Sequence, residues 1–133
     1  MKFKVIVIGD KIEKFYLEAI KEYAKRLERY CKIQLKHLKN ESALDKEISD
    51  RSHCILITTK GDSISSEELA YKINEWGVTG LSDISIVINA ENVNSNEQLT
   101  LSPMEMDTGL KTTIVFEQIY RSYRIINNHP YHK

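Results

Sequence analysis

The chain has 133 residues, with 19 Lys and Arg against 19 Asp and Glu, so its formal charge is zero. That length suits one domain, residues 1–133, with a single core. Balanced charge excludes a globally basic nucleic-acid binder and leaves only a local patch for such a partner. Lys2 and Lys4 lie inside a strand-like run, unlike a signal peptide, and no apolar run is long enough to span a bilayer, so a soluble, cytoplasmic protein is expected.

Lys2 to Ile8 reads as a buried strand, because Phe3, Val5, Ile6, Val7 and Ile8 are nearly continuous and β-branched or aromatic. Gly9-Asp10 ends it. Ile12, Tyr16, Ala19, Tyr23, Leu27 and Tyr30 then recur at helical spacing, while Lys14, Lys21, Glu22, Lys25, Glu28 and Arg29 make the opposite, solvated face. Lys32 to Leu38 is a second strand, and Ser42 to Ile48 a short helical candidate. Cys54 to Ile57 is a third buried strand, closed by Thr58-Thr59-Lys60-Gly61-Asp62. Ser65-x-x-Glu68 is a capping box, followed by Leu69, Ile73 and Trp76 on one helical face, with Gly77 and Gly80 ending the helix. Ile84 to Ile88 is a fourth strand, Asn89 to Gln98 a polar loop, Leu99 to Leu101 a short strand, and Gly109 to Ile126 the final helix. Alternating apolar strands and helices predict an α/β fold with a mostly parallel sheet covered by helices.

Cys31 and Cys54 stand apart with no Cys-x-x-Cys or His spacing, so free thiols are expected and no metal. His37 and His53 are single and read as surface or strand-edge groups. Trp76 reads as core. Met104 and Met106 read as adaptable wall of a pocket.

The C-terminus is different. After Glu117 there is no acidic side chain, and the chain closes on Tyr120, Arg121, Tyr123, Arg124, His129, Pro130, Tyr131, His132 and Lys133. Such a concentration of donors and titratable groups points to anion binding and proton transfer. Arg121, Arg124, His129 and Lys133 form a candidate patch for RNA phosphates. Tyr131 can stack on an extruded base, and His132 can take a proton near working pH. Arg121, Tyr131 and His132 are therefore the candidate catalytic residues. The structural alternative is that the tyrosines pack on a partner and that Glu117 with Arg121 is an ordinary helix pair.

Glu117-Gln118-Ile119-Tyr120-Arg121 with the closing His129-Pro130-Tyr131-His132-Lys133 resembles the C-terminus of the RlmH family. Lys60-Gly61 before Ser65-Ser66-Glu67-Glu68, and Leu99-Thr100-Leu101-Ser102-Pro103-Met104, are similar to two further signatures of that family, and Met1 to Leu38 is similar to its start. The resemblance implies a SPOUT-class α/β-knot fold with a C-terminal trefoil knot and a homodimer with its pocket near the interface. It also implies a methyltransferase that uses S-adenosylmethionine on a pseudouridine of large-subunit (23S) ribosomal RNA. Backbone of three loops would hold the methyl donor. Carried over residue by residue, these are Ile57, then Asn89 and Ala90, then Leu101, Ser102, Pro103, Met104, Glu105, Met106 and Asp107. A close-lying ligand beyond the carboxyl ends of parallel strands gives that placement a physical basis.

The chain departs from the family at the middle loop. Asn89-Ala90-Glu91-Asn92-Val93 replaces a Gly-Gly-x-x-Gly pattern. Asn89 and Asn92 tolerate left-handed backbone, whereas Ala90 and Val93 do not. Weaker donor binding is therefore expected, with recovery on restoring glycine at 89, 90 and 93. Thr58, Asp62, Thr108 and Thr112 also replace the family's Asp, Lys, His and Arg. A second reading is a non-catalytic RNA-binding or regulatory paralogue that kept the knotted dimer fold and lost the donor. A flavodoxin-like nucleotide binder built on Gly9-Asp10 lacks a glycine-rich phosphate loop.

Overall fold

The computed structural model describes residues 1–132; Lys133, assigned above to RNA contact, lies outside the described residues. In chain order the elements are β1 (Lys2–Ile8), α1 (Lys14–Leu27), β2 (Lys32–Leu38), a 3-10 turn (Glu41–Ala43) running into α2 (Leu44–Glu47), β3 (His53–Ser63), α3 (Ser66–Val78), β4 (Asp83–Ile88), β5 (Glu97–Thr100) and α4 (Thr108–Ile126). The strands form one sheet in the order β2-β1-β4-β3-β5, with every pairing parallel. No helix among the described residues is long and apolar enough to cross a membrane.

Alternation along the strands divides the interior in two. Phe3, Val5 and Val7 of β1, Ile55 of β3 and Ile84, Ile86 and Ile88 of β4 face the three long helices. Ile6, Ile8, Cys54, Leu56 and Val87 face the other way, where Leu44 and Ile48 of the short-helix segment and Ala90 and Val93 of the loop after β4 cover them. The long helices thus share one face, with α4 between α1 and α3. Gly109 allows α4 to approach α1 closely, since a Cβ there would clash with the Tyr16 ring.

The final helix is held by its own chain. Tyr120 and Tyr123 are buried, Tyr123 stacked 5.2 Å from Tyr30 and edge-on to Phe3, Tyr120 tilted 6.0 Å from Tyr23. Their cover was expected from a partner subunit. It comes instead from residues about a hundred positions earlier, through non-local contacts that periodicity cannot show.

Both halves of the capping box are present, with Ser65 Oγ accepting from Glu68 N and Glu68 accepting from Ser65 N. Gly77 does not end α3 but lies inside it. The stop is Gly80, at φ 83, with Leu81 N donating to Trp76 O.

β3 is the main departure from the pattern read in the sequence. It runs to Ser63 rather than stopping at Ile57, because its pairing with β5 resumes after an interruption: Ile57 pairs with Leu99, and so does Asp62. Residues 58 to 61 therefore bulge from the ladder. Cys31 and Cys54 are free thiols, and burial pushes the Cys31 thiol up to about 11. Only about one Cys31 in a thousand is then ionised at pH 8. Iodoacetamide should label it orders of magnitude more slowly in the native protein than in urea; equal rates would refute the burial.

Candidate active site

The bulge after Ile57 within β3, the turn after β4 and the segment after β5 meet beside the carboxyl ends of β4 and β5. Between them lies a polar cleft of about 680 Å³, a size suited to a nucleoside-bearing ligand. Of the residues assigned to the donor, Ile57, Asn89, Ala90, Leu101, Ser102, Met104, Glu105 and Met106 line it. Pro103 and Asp107 do not. Pro103 is exposed, and Asp107 caps α4 by accepting from Gly109 N at 3.0 Å.

Side chains shape the segment after β5. Ser102 N donates to Thr100 Oγ1 at 3.1 Å, Thr100 Oγ1 to Ser102 O at 2.7 Å, and Met104 N to Ser102 Oγ at 3.0 Å. Such local bonds give a loop a fixed path without regular pairing. Gly61 fixes the opposite wall. A Cβ there would sit 2.5 to 2.8 Å from the backbone of Gln98 and Leu99, so only glycine lets the bulge return to β5.

Asn89 is the hub of the floor. It is left-handed at φ 67, as its residue type allowed. Its Nδ2 donates to Thr108 Oγ1 at 2.6 Å, and its Oδ1 accepts from Lys111 Nζ at 2.6 Å. Thr108 Oγ1 donates in turn to Asp10 Oδ2 at 3.2 Å, tying the ends of β1 and β4 to the start of α4. Lys111 Nζ also donates to Glu105 Oε1 at 2.8 Å and holds that carboxyl below its usual range. Lys111 was read as nothing in the sequence, because a lysine in a first helical turn resembles any solvated one.

The strain expected at Ala90 and Val93 is not there. Among the described residues only Asn89 and Asn128 are left-handed outside glycine, so Asn92 does not share the role given to it. Ala90 is 8 % exposed and packs in the second core with Val93. The backbone beyond is held from across the molecule, where the Glu41 carboxylate accepts from Glu91 N at 3.3 Å and Asn92 N at 3.0 Å. Asn89 with Glu41 shapes the turn that the family builds with glycine. Thr112, fully buried, donates to Thr108 O at 2.8 Å beneath that network.

The tail lies elsewhere. Lys111 of the cleft and Arg121 are ten residues apart on α4, roughly 15 Å at the helical rise. Arg121 forms an ion pair with Glu117 at 3.0 Å, lies 4.8 Å from the Tyr131 ring centre, and reaches His132 Nδ1 at 3.0 Å. His132 Nε2 stands 2.6 Å from Glu67 Oε1 of α3. A guanidinium only donates, so His132 accepts at Nδ1 and donates from Nε2. Tyr131 donates to Glu117 Oε2 at 2.7 Å, and burial, with that contact, raises its hydroxyl pKa well above the usual tyrosine value. It is a donor at neutral pH, not a base. Arg124 donates to Tyr30 and to Pro130 O, and His129 Nδ1 meets the Tyr30 hydroxyl at 2.8 Å. The structure thus brings Arg121, Tyr131 and His132 together, and Arg124 with His129, but places neither group in the cleft of its own chain.

His53 is not solitary. Its Nε2 lies 2.5 Å from Glu97, which also takes Lys72 Nζ at 2.6 Å, and its ring is 5.3 Å from Trp76. This cluster sits at the opposite ends of β3 and β5 from the cleft.

The family described as "Predicted SPOUT methyltransferase" matches residues 1–132. The chain is similar to "Ribosomal RNA large subunit methyltransferase H 1" of Thermoanaerobacter sp. (strain X514) and "Ribosomal RNA large subunit methyltransferase H 2" of Thermoanaerobacter pseudethanolicus. Each is 52 % identical over 133 residues, covering all of both chains. It is also 32 % identical to "Ribosomal RNA large subunit methyltransferase H" of Acetivibrio thermocellus over 159 aligned positions, again with both chains fully covered.

Proposed function

The chain belongs to the RlmH family of SPOUT methyltransferases, and from that premise we propose that it methylates a pseudouridine of large-subunit (23S) ribosomal RNA in the cytoplasm. The observation that carries this reading is the cleft where the bulge within β3 and the loops after β4 and β5 converge with eight of the assigned donor residues on its walls. Bound there, S-adenosylmethionine would supply an electrophilic methyl group. The chain's own part is to hold it. The self-braced segment 100–106 and the bulge 58–60 flank the ligand, and Asn89 with Ala90 forms the floor.

The tail acts on the RNA side. Arg121, Arg124 and His129, with Lys133 beyond them, meet phosphate; Tyr131 stacks on the exposed base; His132 takes the N3 proton as the base is methylated. Because that group stands away from its own cleft, the complete site is assembled in a homodimer, with each tail at the partner's cleft. The start of α4, pinned to the turn after β4 by Asn89 and Thr108, fits the trefoil knot in which α4 threads behind that turn.

Titration calorimetry with adenosylmethionine, followed by transfer of labelled methyl to large subunits lacking the modification, tests the activity. Binding with transfer supports the enzyme; no binding supports the non-catalytic paralogue instead. Light scattering at micromolar concentration should give twice the monomer mass, and a monomer alone would remove the shared site.

A further inference from the structure

We propose that Lys111 determines ligand specificity in the cleft, by docking the carboxylate at the amino-acid end of the methyl donor while Glu105 yields its place. The proposal rests on the donor-binding reading above and adds a residue and a group to it.

Three observations lead there. First, Lys111 lines the cleft with a side chain only 13 % exposed, and lysine is almost never so enclosed without a partner. Second, its enclosure is prepared by a neutral group. Asn89 Oδ1, fixed by the left-handed turn and by the bond from Asn89 Nδ2 to Thr108, accepts from Nζ at 2.6 Å. That contact orients the ammonium without cancelling its charge. Third, among the described residues the charge is met only by Glu105, whose side chain is 71 % exposed.

An exposed ion pair is worth little, because water competes for both members. Glu105 is thus easily displaced, and its Oε1, 2.8 Å from Nζ, already marks where an incoming carboxylate oxygen fits. Lysine has three N–H donors; Asn89 and Glu105 take two, and the third has no partner among the described residues. Lys60 also borders the cleft but is exposed, so it lacks the fixed direction that discrimination needs.

The bland alternative is that Lys111 only braces Asn89 and Glu105. Two ligands separate these readings: S-adenosylhomocysteine, and its decarboxylated analogue, which keeps the amine and loses the carboxylate. Neither carries a sulfonium charge. Calorimetry is run on the wild-type protein, Lys111→Met and Glu105→Gln. Lys111→Met should weaken S-adenosylhomocysteine by on the order of tenfold to a hundredfold, the worth of a charged hydrogen bond, and leave the analogue within about twofold. Glu105→Gln should act in the opposite sense, tightening S-adenosylhomocysteine severalfold and leaving the analogue unchanged.

Equal weakening of both ligands by Lys111→Met means a brace only and overturns the proposal. Should that variant fail to fold, Glu105→Gln decides alone, and unchanged affinity for S-adenosylhomocysteine overturns it. A wild-type protein that binds neither ligand removes the donor-binding reading itself, and this proposal with it. A wild-type protein that binds both, with no selective effect in either variant, leaves that reading standing and rejects only the role of Lys111.

Discussion

Gly61→Ala should destabilise the protein by roughly 3 kcal/mol and move its urea midpoint down by more than about 1 M. The added methyl has nowhere to go. Its nearest neighbours at 2.5, 2.7 and 2.8 Å are backbone atoms of Leu99 and Gln98, which cannot rotate aside as a side-chain tip would. β5 must then move away from β3, or the bulge must be rebuilt. Either change alters the wall made by Thr58, Thr59 and Lys60, so affinity for adenosylmethionine should fall with stability. Gly109→Ala makes a useful comparison: its methyl clashes with the Tyr16 side chain rather than with backbone, so its cost in stability should come without any change in the β3–β5 return. An unchanged midpoint and unchanged donor affinity in Gly61→Ala would show that the β3–β5 return is not built as described.

The same bulge shows why some of the fold was legible and some was not. β1, β4 and the first half of β3 declare themselves because buried parallel strands are almost continuously apolar. The second half of β3 is Thr58 to Ser63, polar and glycine-containing, and reads as a turn. It is strand because β5 resumes pairing with it, a relation between residues about forty positions apart. α3 was legible to the residue at its start because a capping box is local chemistry. The tail tyrosines were misread for the opposite reason, since Tyr23 and Tyr30 lie far back in the chain.

In the site, resemblance supplied the three loops and the structure brought them together. The expectation of strain at Ala90 and Val93 assumed that every glycine of the family pattern marks a positive φ. In this chain the turn needs one left-handed residue, Asn89, and takes its remaining support from Glu41, fifty residues away. Restoring glycine at 89, 90 and 93 is therefore expected to hurt. It would remove the Asn89 bonds to Lys111 and Thr108 and strip Ala90 and Val93 from the second core, lowering both stability and donor affinity. A gain in affinity would revive the original expectation.

The largest effect on activity is expected from His132. His132→Ala should reduce rRNA methylation by about a hundredfold or more, the contribution of one positioned proton acceptor, while leaving the protein folded. The docked tail adds a condition to that role. With Arg121 donating to Nδ1 and Nε2 directed at Glu67, neither nitrogen is free to accept a substrate proton, so bound RNA must draw Arg121 away from Nδ1, the nitrogen that carries no proton. The distance along α4 makes a further demand, that the base serve the partner's cleft rather than its own. Mixing tests this directly. One inactive protein carries His132→Ala; the other carries Ser102→Trp, whose indole fills the cleft. After reassociation, mixed dimers pair an intact cleft on one protomer with an intact tail on the other. If the site is shared, about a quarter of wild-type activity should return, since half of the dimers are mixed and each has one complete site. If tail and cleft act within one chain, every site in the mixture lacks one component and no activity returns. Silence from a mixture shown by native mass spectrometry to contain the mixed dimer would reject the shared site, whereas unchanged methylation by His132→Ala alone would place His132 outside the chemistry and leave the tail as the clasp between α3 and α4 that its contacts with Glu67 and Glu117 already form.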